Sequence, residues 1–154
     1  MNVEFINPFI SSLRNVLLTM AQTELKPGKP QKKRDSKAQG DVSGLIGMVG
    51  NDLKGSLSIT FDESLAIELM YKMVGEKPTS LDDEVQDMVG EVVNMVCGGA
   101  KNILAEKGHD FGMATPIVVS GRNHTINHQV DGPKLIMPFV STAGKAYLEI
   151  CFNK

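Results

Sequence analysis

Two stretches of this chain close with the same alternating pattern. Leu57-Ser58-Ile59-Thr60-Phe61 and Leu148-Glu149-Ile150-Cys151-Phe152 both read Leu-x-Ile-x-Phe. Each follows a partner stretch that contains Leu-Ile, at Leu45-Ile46 and at Leu135-Ile136. Strict alternation puts the apolar side chains on one face of a strand. Self-similarity constrains the fold strongly, because it asks for one supersecondary unit used twice. Two amphipathic strands look alike on periodicity alone, but here the order of elements repeats as well, with a helical stretch upstream in each half. The expected fold class is α+β. It is built from duplicated helix–strand–strand units, with a largely antiparallel sheet and two long helices packed on one face.

Local signals fill in the elements. Asn7 followed by Pro8 reads as an N-cap and first helical residue, opening a helix from about residue 8 to 24. Residues 42–50 read as a strand, Asn51-Asp52 as a turn, and residues 55–61 as the returning strand. Asp62 or Ser64 caps a short helix that ends at Gly75, with Leu65, Leu69, Met70 and Met73 facing inward. Ser80 is the expected cap of the longest helix, from Leu81 to Lys107, closed by Gly108. Four strands are expected after it, at 115–120, 123–130, 134–141 and 145–152.

The length of 154 residues suits one domain, taken as 1–154, with a core that needs no metal or disulfide. With 42% hydrophobic and 22% charged residues, the composition is that of a folded globular chain. The net charge of −2 gives no pull toward nucleic acid. No apolar run suits a membrane span and no leader pattern opens the chain, so a cytoplasmic location is expected. Cys97 and Cys151 make no disulfide framework, and no His and Cys cluster has zinc spacing, so no cofactor of its own is expected. Residues 22–40 hold six cations against two carboxylates, a net of +4, which leaves −6 on the rest. A solvated loop or edge strand accounts for that run better than a phosphate-binding arm, since no aromatic residue interleaves it.

The long helix carries a second pattern on its other side. At about 100° per residue, Asp87, Glu91, Asn94 and Gly98 share one stripe, while Val85, Met88, Val89, Val92, Val96, Ile103 and Leu104 lie mostly opposite. Glycine inside a helix costs about 1 kcal/mol against alanine, so Gly98 and Gly99 ask for a reason. Gly99 lies toward the packed side, where it allows close approach of a neighbouring helix. Gly98 lies on the stripe, where it leaves room for a partner beside Asn94. A carboxamide does not titrate near neutrality, yet it offers a donor and an acceptor, so Asn94 can hold a water in line with an electrophile. Glu91, one turn away, can pair with a partner's cation or accept a proton. A placed water and a borrowed metal suffice to hydrolyse a phosphoryl group, because that chemistry rests on positioning and charge neutralisation.

These residues resemble a known family. Asn7-Pro8-Phe9, Val42-Ser43-Gly44-Leu45-Ile46-Gly47, Leu81-Asp82-Asp83-Glu84-Val85, Gly90-Glu91-Val92-Val93-Asn94-Met95 and Thr115-Pro116 are similar to the CheX and CheC family of bacterial chemotaxis phosphatases, most closely its CheX branch. The family motif (Asp or Ser, three residues, Glu, two residues, Asn) reads Asp87, Glu91, Asn94 without a gap. The resemblance implies a phosphatase that removes the phosphoryl group from the phosphoaspartate of a CheY-type response regulator. It implies Asn94 as the group that places the attacking water and Glu91 as the salt-bridge partner of a regulator lysine. It implies Asp87 as a supporting, partner-binding member of the stripe, beside Gly98 as the wheel places it, and Mg2+ on the phosphorylated partner. It also implies association into a homodimer through strands. Some relatives carry the motif in both halves. Here the equivalent positions of the first helix are Asn7, Ser11 and Arg14, with no Glu, so one site per chain is expected.

Two further readings stand beside this one: a non-catalytic module that binds a receiver domain or flagellar switch component, and a small-ligand domain with a buried Asn94. His124 and His128 would share a strand face, without a third ligand for a metal. His109 reads as a helix-end residue. Cys97 and the methionines at 70, 73, 88 and 95 read as packing rather than chemistry.

Overall fold

The structure, a computed structural model, describes residues 3–50, 54–128 and 130–153. Among them are helices α1 (Val3–Ala21), α2 (Glu63–Val74) and α3 (Asp83–Glu106). The strands are β1 (Lys26–Pro27), β2 (Gln31–Lys33), β3 (Val42–Gly50), β4 (Lys54–Phe61), β5 (Phe111–Met113), β6 (Ile117–Ser120), β7 (Lys134–Val140) and β8 (Lys145–Asn153). They form one sheet in the order β1-β7-β8-β4-β3-β5, with β2 also on β7 and β6 also on β3. Every pairing is antiparallel.

The repeated strands meet at the centre of this sheet. β4 and β8 pair with Gly55 opposite Phe152, Leu57 opposite Ile150, Ile59 opposite Leu148 and Phe61 opposite Ala146. Leu57 thus faces the counterpart of Ile59, and Ile59 the counterpart of Leu57, a reciprocity that is the signature of a local two-fold axis. Their apolar sides are buried under the helices: Leu57, Ile59, Phe61, Leu148 and Ile150 are all inaccessible. α3 lies over β3, where a Cβ on Gly44 would run into Val93. α1 lies beside α3, and Ser12 Oγ donates to the Val96 carbonyl at 2.7 Å. A Cβ on Gly99 would strike Ser12 Oγ, so Gly99 sets the approach of the two long helices, as its place on the wheel predicts.

Several boundaries differ from expectation, each for a local reason. α1 begins at Val3, not at Pro8, so Asn7 is no cap and Pro8 sits inside the helix. Its apolar face extends back through Ile6, which is buried, and Pro8 forfeits only the bond to Glu4 near the helix start. The helix ends at Ala21 because Gln22 turns left-handed at φ 45°, with Thr23 N–H bonding the Leu17 carbonyl and Gln22 N–H that of Leu18. The cap of α3 is Asp82, not Ser80; its carboxylate accepts from Val85 N–H at 2.9 Å. Asp62 and Gly75 bound α2 as expected. The expected turn at Asn51-Asp52 lies outside the described residues.

The described residues of 123–130 form no strand, apart from an isolated bridge of Thr125 to Lys37. Their alternation is real but serves another purpose. Ile126 is buried against the sheet face opposite the helices, and His124 and His128 also turn toward it. The backbone ties instead to residues 36–38, through Ile126 N–H to the Ser36 carbonyl and Ala38 N–H to the His124 carbonyl. These two stretches cover that face of the sheet. Beneath them His124 Nε2 pairs with Ser43 Oγ at 2.6 Å, and His128 bridges Ser56 Oγ and Glu149. The two histidines are thus fasteners of a cover, not a polar strand face. The basic run supplies the edge strands β1 and β2 on β7, but Lys33 is buried in an ion pair with Glu149 at 2.7 Å.

Candidate functional site

α3 divides as the wheel predicts. Val85, Met88, Val89, Val92, Val93 and Val96 are buried, while Asp83, Asp87 and Glu91 are exposed and Asn94 is half-buried. A buried Asn94, which the small-ligand reading required, is not found. Among the described residues none of Asp83, Asp87, Glu91 or Asn94 has a hydrogen-bond or ion-pair partner through its side chain. Four polar side chains held on a rigid, well-anchored helix are therefore free to engage another molecule. Gly98 follows one turn after Asn94, and a Cβ built there meets nothing within 4 Å. A helical side chain leans toward the turn before it, so a residue larger than glycine at 98 would lie over Asn94.

The stripe borders an open groove of about 790 Å³. Asp83, Gln86, Asp87, Gly90, Glu91 and Asn94 form the helix side, and residues 113–116 with Val118 form the other. The strand expected at 115–120 falls partly in that second side, but nothing in the sequence sets it against α3. That placement depends on β5, a three-residue strand too short to register as periodic, which pairs with Met48–Gly50 and turns the chain back beside α3. Thr115-Pro116, visible as part of the family likeness, lies in this wall.

Other candidates fall away from the groove. Cys97 is buried on the packed side of α3, and burial pushes its thiol up to about 12, which removes it as a nucleophile near neutrality. His109, after the helix, packs against Phe5 with the rings tilted and their centroids 4.6 Å apart. No group of three or more His, Cys, Asp or Glu among the described residues is placed to hold a metal. No helix among them is long and apolar enough to cross a membrane. On α1, Asn7, Ser11 and Arg14 are exposed, and Arg14 Nε donates across to the Leu25 carbonyl at 3.1 Å. The residue in the place of Asn94 thus ties the helix to the chain beside it, leaving a hollow of only about 140 Å³.

The chain is similar to known proteins along most of its length. The family model for the chemotaxis phosphatase CheX matches residues 42–140. A CheC-like superfamily protein from Shewanella sp. PV-4 is 68% identical, with a TM-score of 0.94 and 100% of each chain covered. The CheY-P phosphatase CheX of Thermotoga maritima is 27% identical over 124 residues, 80% of this chain and 79% of that protein. The CheX of a CheX–CheY–BeF3–Mg2+ complex from Borrelia burgdorferi is 28% identical, with a TM-score of 0.80, covering 99% of this chain and 100% of that one. An exposed acid–acid–amide stripe on the long helix of a duplicated α+β sheet, together with these matches, shows that the chain belongs to the chemotaxis phosphatase CheX family.

Proposed function

We propose that this chain is a protein aspartyl-phosphate phosphatase of chemotaxis signalling, acting in the cytoplasm on a phosphorylated CheY-type response regulator. The observation that carries the reading is the unpartnered stripe of Asp87, Glu91 and Asn94 along an open groove in a member of this family. A relative named for CheY-P phosphatase activity and a relative in complex with CheY, BeF3 and Mg2+ support the same partner. Asn94 places the attacking water through its carboxamide. Glu91 pairs with a lysine of the regulator, and Asp87 adds to the field that draws that cation in. The Mg2+ belongs to the regulator and neutralises charge on the phosphoryl group. Residues 1–154 act as one domain, since strands of both halves join in one sheet through β4 and β8. The test is direct: mix the protein with a phosphorylated CheY-type receiver and Mg2+, and follow loss of the phosphoaspartate. No acceleration would leave a binding module in place of an enzyme.

The two adjacent glycines of α3 give opposite expectations. Gly98→Ala should raise stability by about 0.5–1 kcal/mol, as alanine does in an open helical position, while lowering phosphatase activity by taking up room the docked partner needs beside Asn94. Gly99→Ala should lower stability by about 1–3 kcal/mol through overpacking against Ser12. Urea melts and rate measurements on the two variants check both signs. Gain of stability with undiminished activity in Gly98→Ala would remove Gly98 from the docking surface.

A second copy of the chain completes the reading. The two edges of the sheet differ. On one, β1 and β2 expose Lys26 and Lys32, the kind of charge that discourages strand addition. On the other, β6 exposes Ile117 and Val119 with no charged residue. A homodimer joined along β6 hides that apolar edge. Light scattering should find a dimer for the parent protein and a monomer for Val119→Lys; a monomeric parent would discard it.

A further inference from the structure

The wall of the groove facing α3 has its own chemistry. Its apolar side chains are Met113, Pro116 and Val118, all half-buried, while Ala114 and Thr115 are exposed along the rim. The opposite wall carries the carboxylates Asp83, Asp87 and Glu91, and no Lys or Arg lines the groove. Charge and apolar surface are thus segregated onto facing walls.

The apolar wall is also rigid and raised. Pro116 fixes its own φ and biases Thr115 toward an extended backbone. Ala114 N–H donates to the Gly47 carbonyl at 3.0 Å, and the segment is stapled at both ends because β5 and β6 each pair with β3. Ala114 and Thr115 border a second hollow, of about 160 Å³, that includes Val49 and Ile117. They therefore form a ridge between two depressions. Thr115 Oγ1 has no hydrogen-bond partner among the described residues. At the floor, Gly90 keeps the groove deep: a Cβ there would lie 3.3 Å from Val118 Cγ2.

Resting on the phosphatase reading, we infer that the Met113–Val118 ridge is the affinity-determining wall for the receiver domain. It takes an aliphatic side chain from the same receiver surface that brings a cation to Glu91 and Asp87. Facing walls of opposite character fit a surface that presents an apolar and a cationic side chain side by side, and they reject one that is anionic or uniformly polar. Contacts on the ridge are remote from the reacting atoms. They are made alike in the ground state and the transition state, so they act on KM and not on kcat.

The experiment is steady-state dephosphorylation of a phosphorylated CheY-type receiver with Mg2+, comparing the parent protein with Ala114→Arg, Thr115→Arg, Val118→Thr and Asn94→Ala. Both arginine variants should raise KM about tenfold or more with kcat within about twofold. Val118→Thr keeps the shape and charge of the wall but not its apolar surface, and should raise KM about threefold. Matched thermal melts confirm folding, since residues 114 and 115 are exposed. Unchanged KM in all three wall variants, with Asn94→Ala inactive, would overturn the ridge and leave the phosphatase reading intact. If the parent protein itself gives no acceleration, the phosphatase reading fails separately. The ridge is then read from binding of the BeF3-loaded receiver: about tenfold weaker binding by the arginine variants supports it, and equal binding overturns it.

Discussion

Asn94→Ala is expected to lose stimulated dephosphorylation by about a hundredfold or more, the scale on which catalysis falls when a reacting group is misplaced by an ångström. Folding should be spared. Asn94 is half-buried, makes no side-chain hydrogen bond among the described residues, and sits on a helix anchored by the buried Val92, Val93 and Val96. Alanine is also a better helix former than asparagine. The loss should appear in single-turnover rates, with receiver binding changed by no more than a few fold. Asn94→Asp separates placement from size, because it keeps the shape but brings a negative charge toward an anionic phosphoryl group and should be as inactive as alanine. Glu91→Ala removes a charge-assisted contact to the partner, so its loss should include weaker binding and a shallower dependence on salt. Full activity in Asn94→Ala would sink the water-placing role, even if the enzyme class survived.

The parts of this molecule that were legible in the sequence are those set by local periodicity. The Leu-x-Ile-x-Phe strands, the stripe of Asp87, Glu91 and Asn94, and the caps at Asp62 and Gly75 all depend on neighbours within a few residues. What escaped depends on pairing at a distance. β5 is three residues long and exists because Met48–Gly50 offers it an edge. The groove exists because β5 and β6 return beside α3. The stretch 123–130 alternates like a strand, yet Asn123 is left-handed at φ 58° and its neighbours bond to residues 36–38, so the alternation serves a cover. The left-handed turn at Gln22 carried no glycine to announce it. Lys33 lay unmarked among exposed lysines, although it is the one of them that the fold buries.

That lysine carries the largest expected effect on stability. Lys33 and Glu149 are joined at 2.7 Å with side chains only 4% and 1% exposed. His128 Nε2 stands 3.3 Å from the other Glu149 oxygen, and its Nδ1 pairs with Ser56 Oγ at 2.8 Å. One tautomer of the ring satisfies both contacts, Nε2–H donating to the carboxylate and Nδ1 accepting from the serine. Removing one partner of a buried pair leaves an uncompensated ion, which costs about 3–5 kcal/mol, a large share of the 5–15 kcal/mol that holds a typical domain. Glu149→Ala and Lys33→Ala should each cost that much in urea unfolding. Replacing both, as Lys33→Met with Glu149→Leu, should recover most of the loss, because no unpaired charge remains. Recovery should stop about 1–3 kcal/mol short, since His128 Nε2 then lacks its acceptor. Additive losses in the double variant would contradict the pairing. The site offers an independent check. The pair lies on the sheet face away from α3, so at low temperature, where every variant is still folded, phosphatase rates should match the parent. Matching rates would make the cover over Lys33 and Glu149 a matter of stability alone and leave catalysis to the helix side of the sheet.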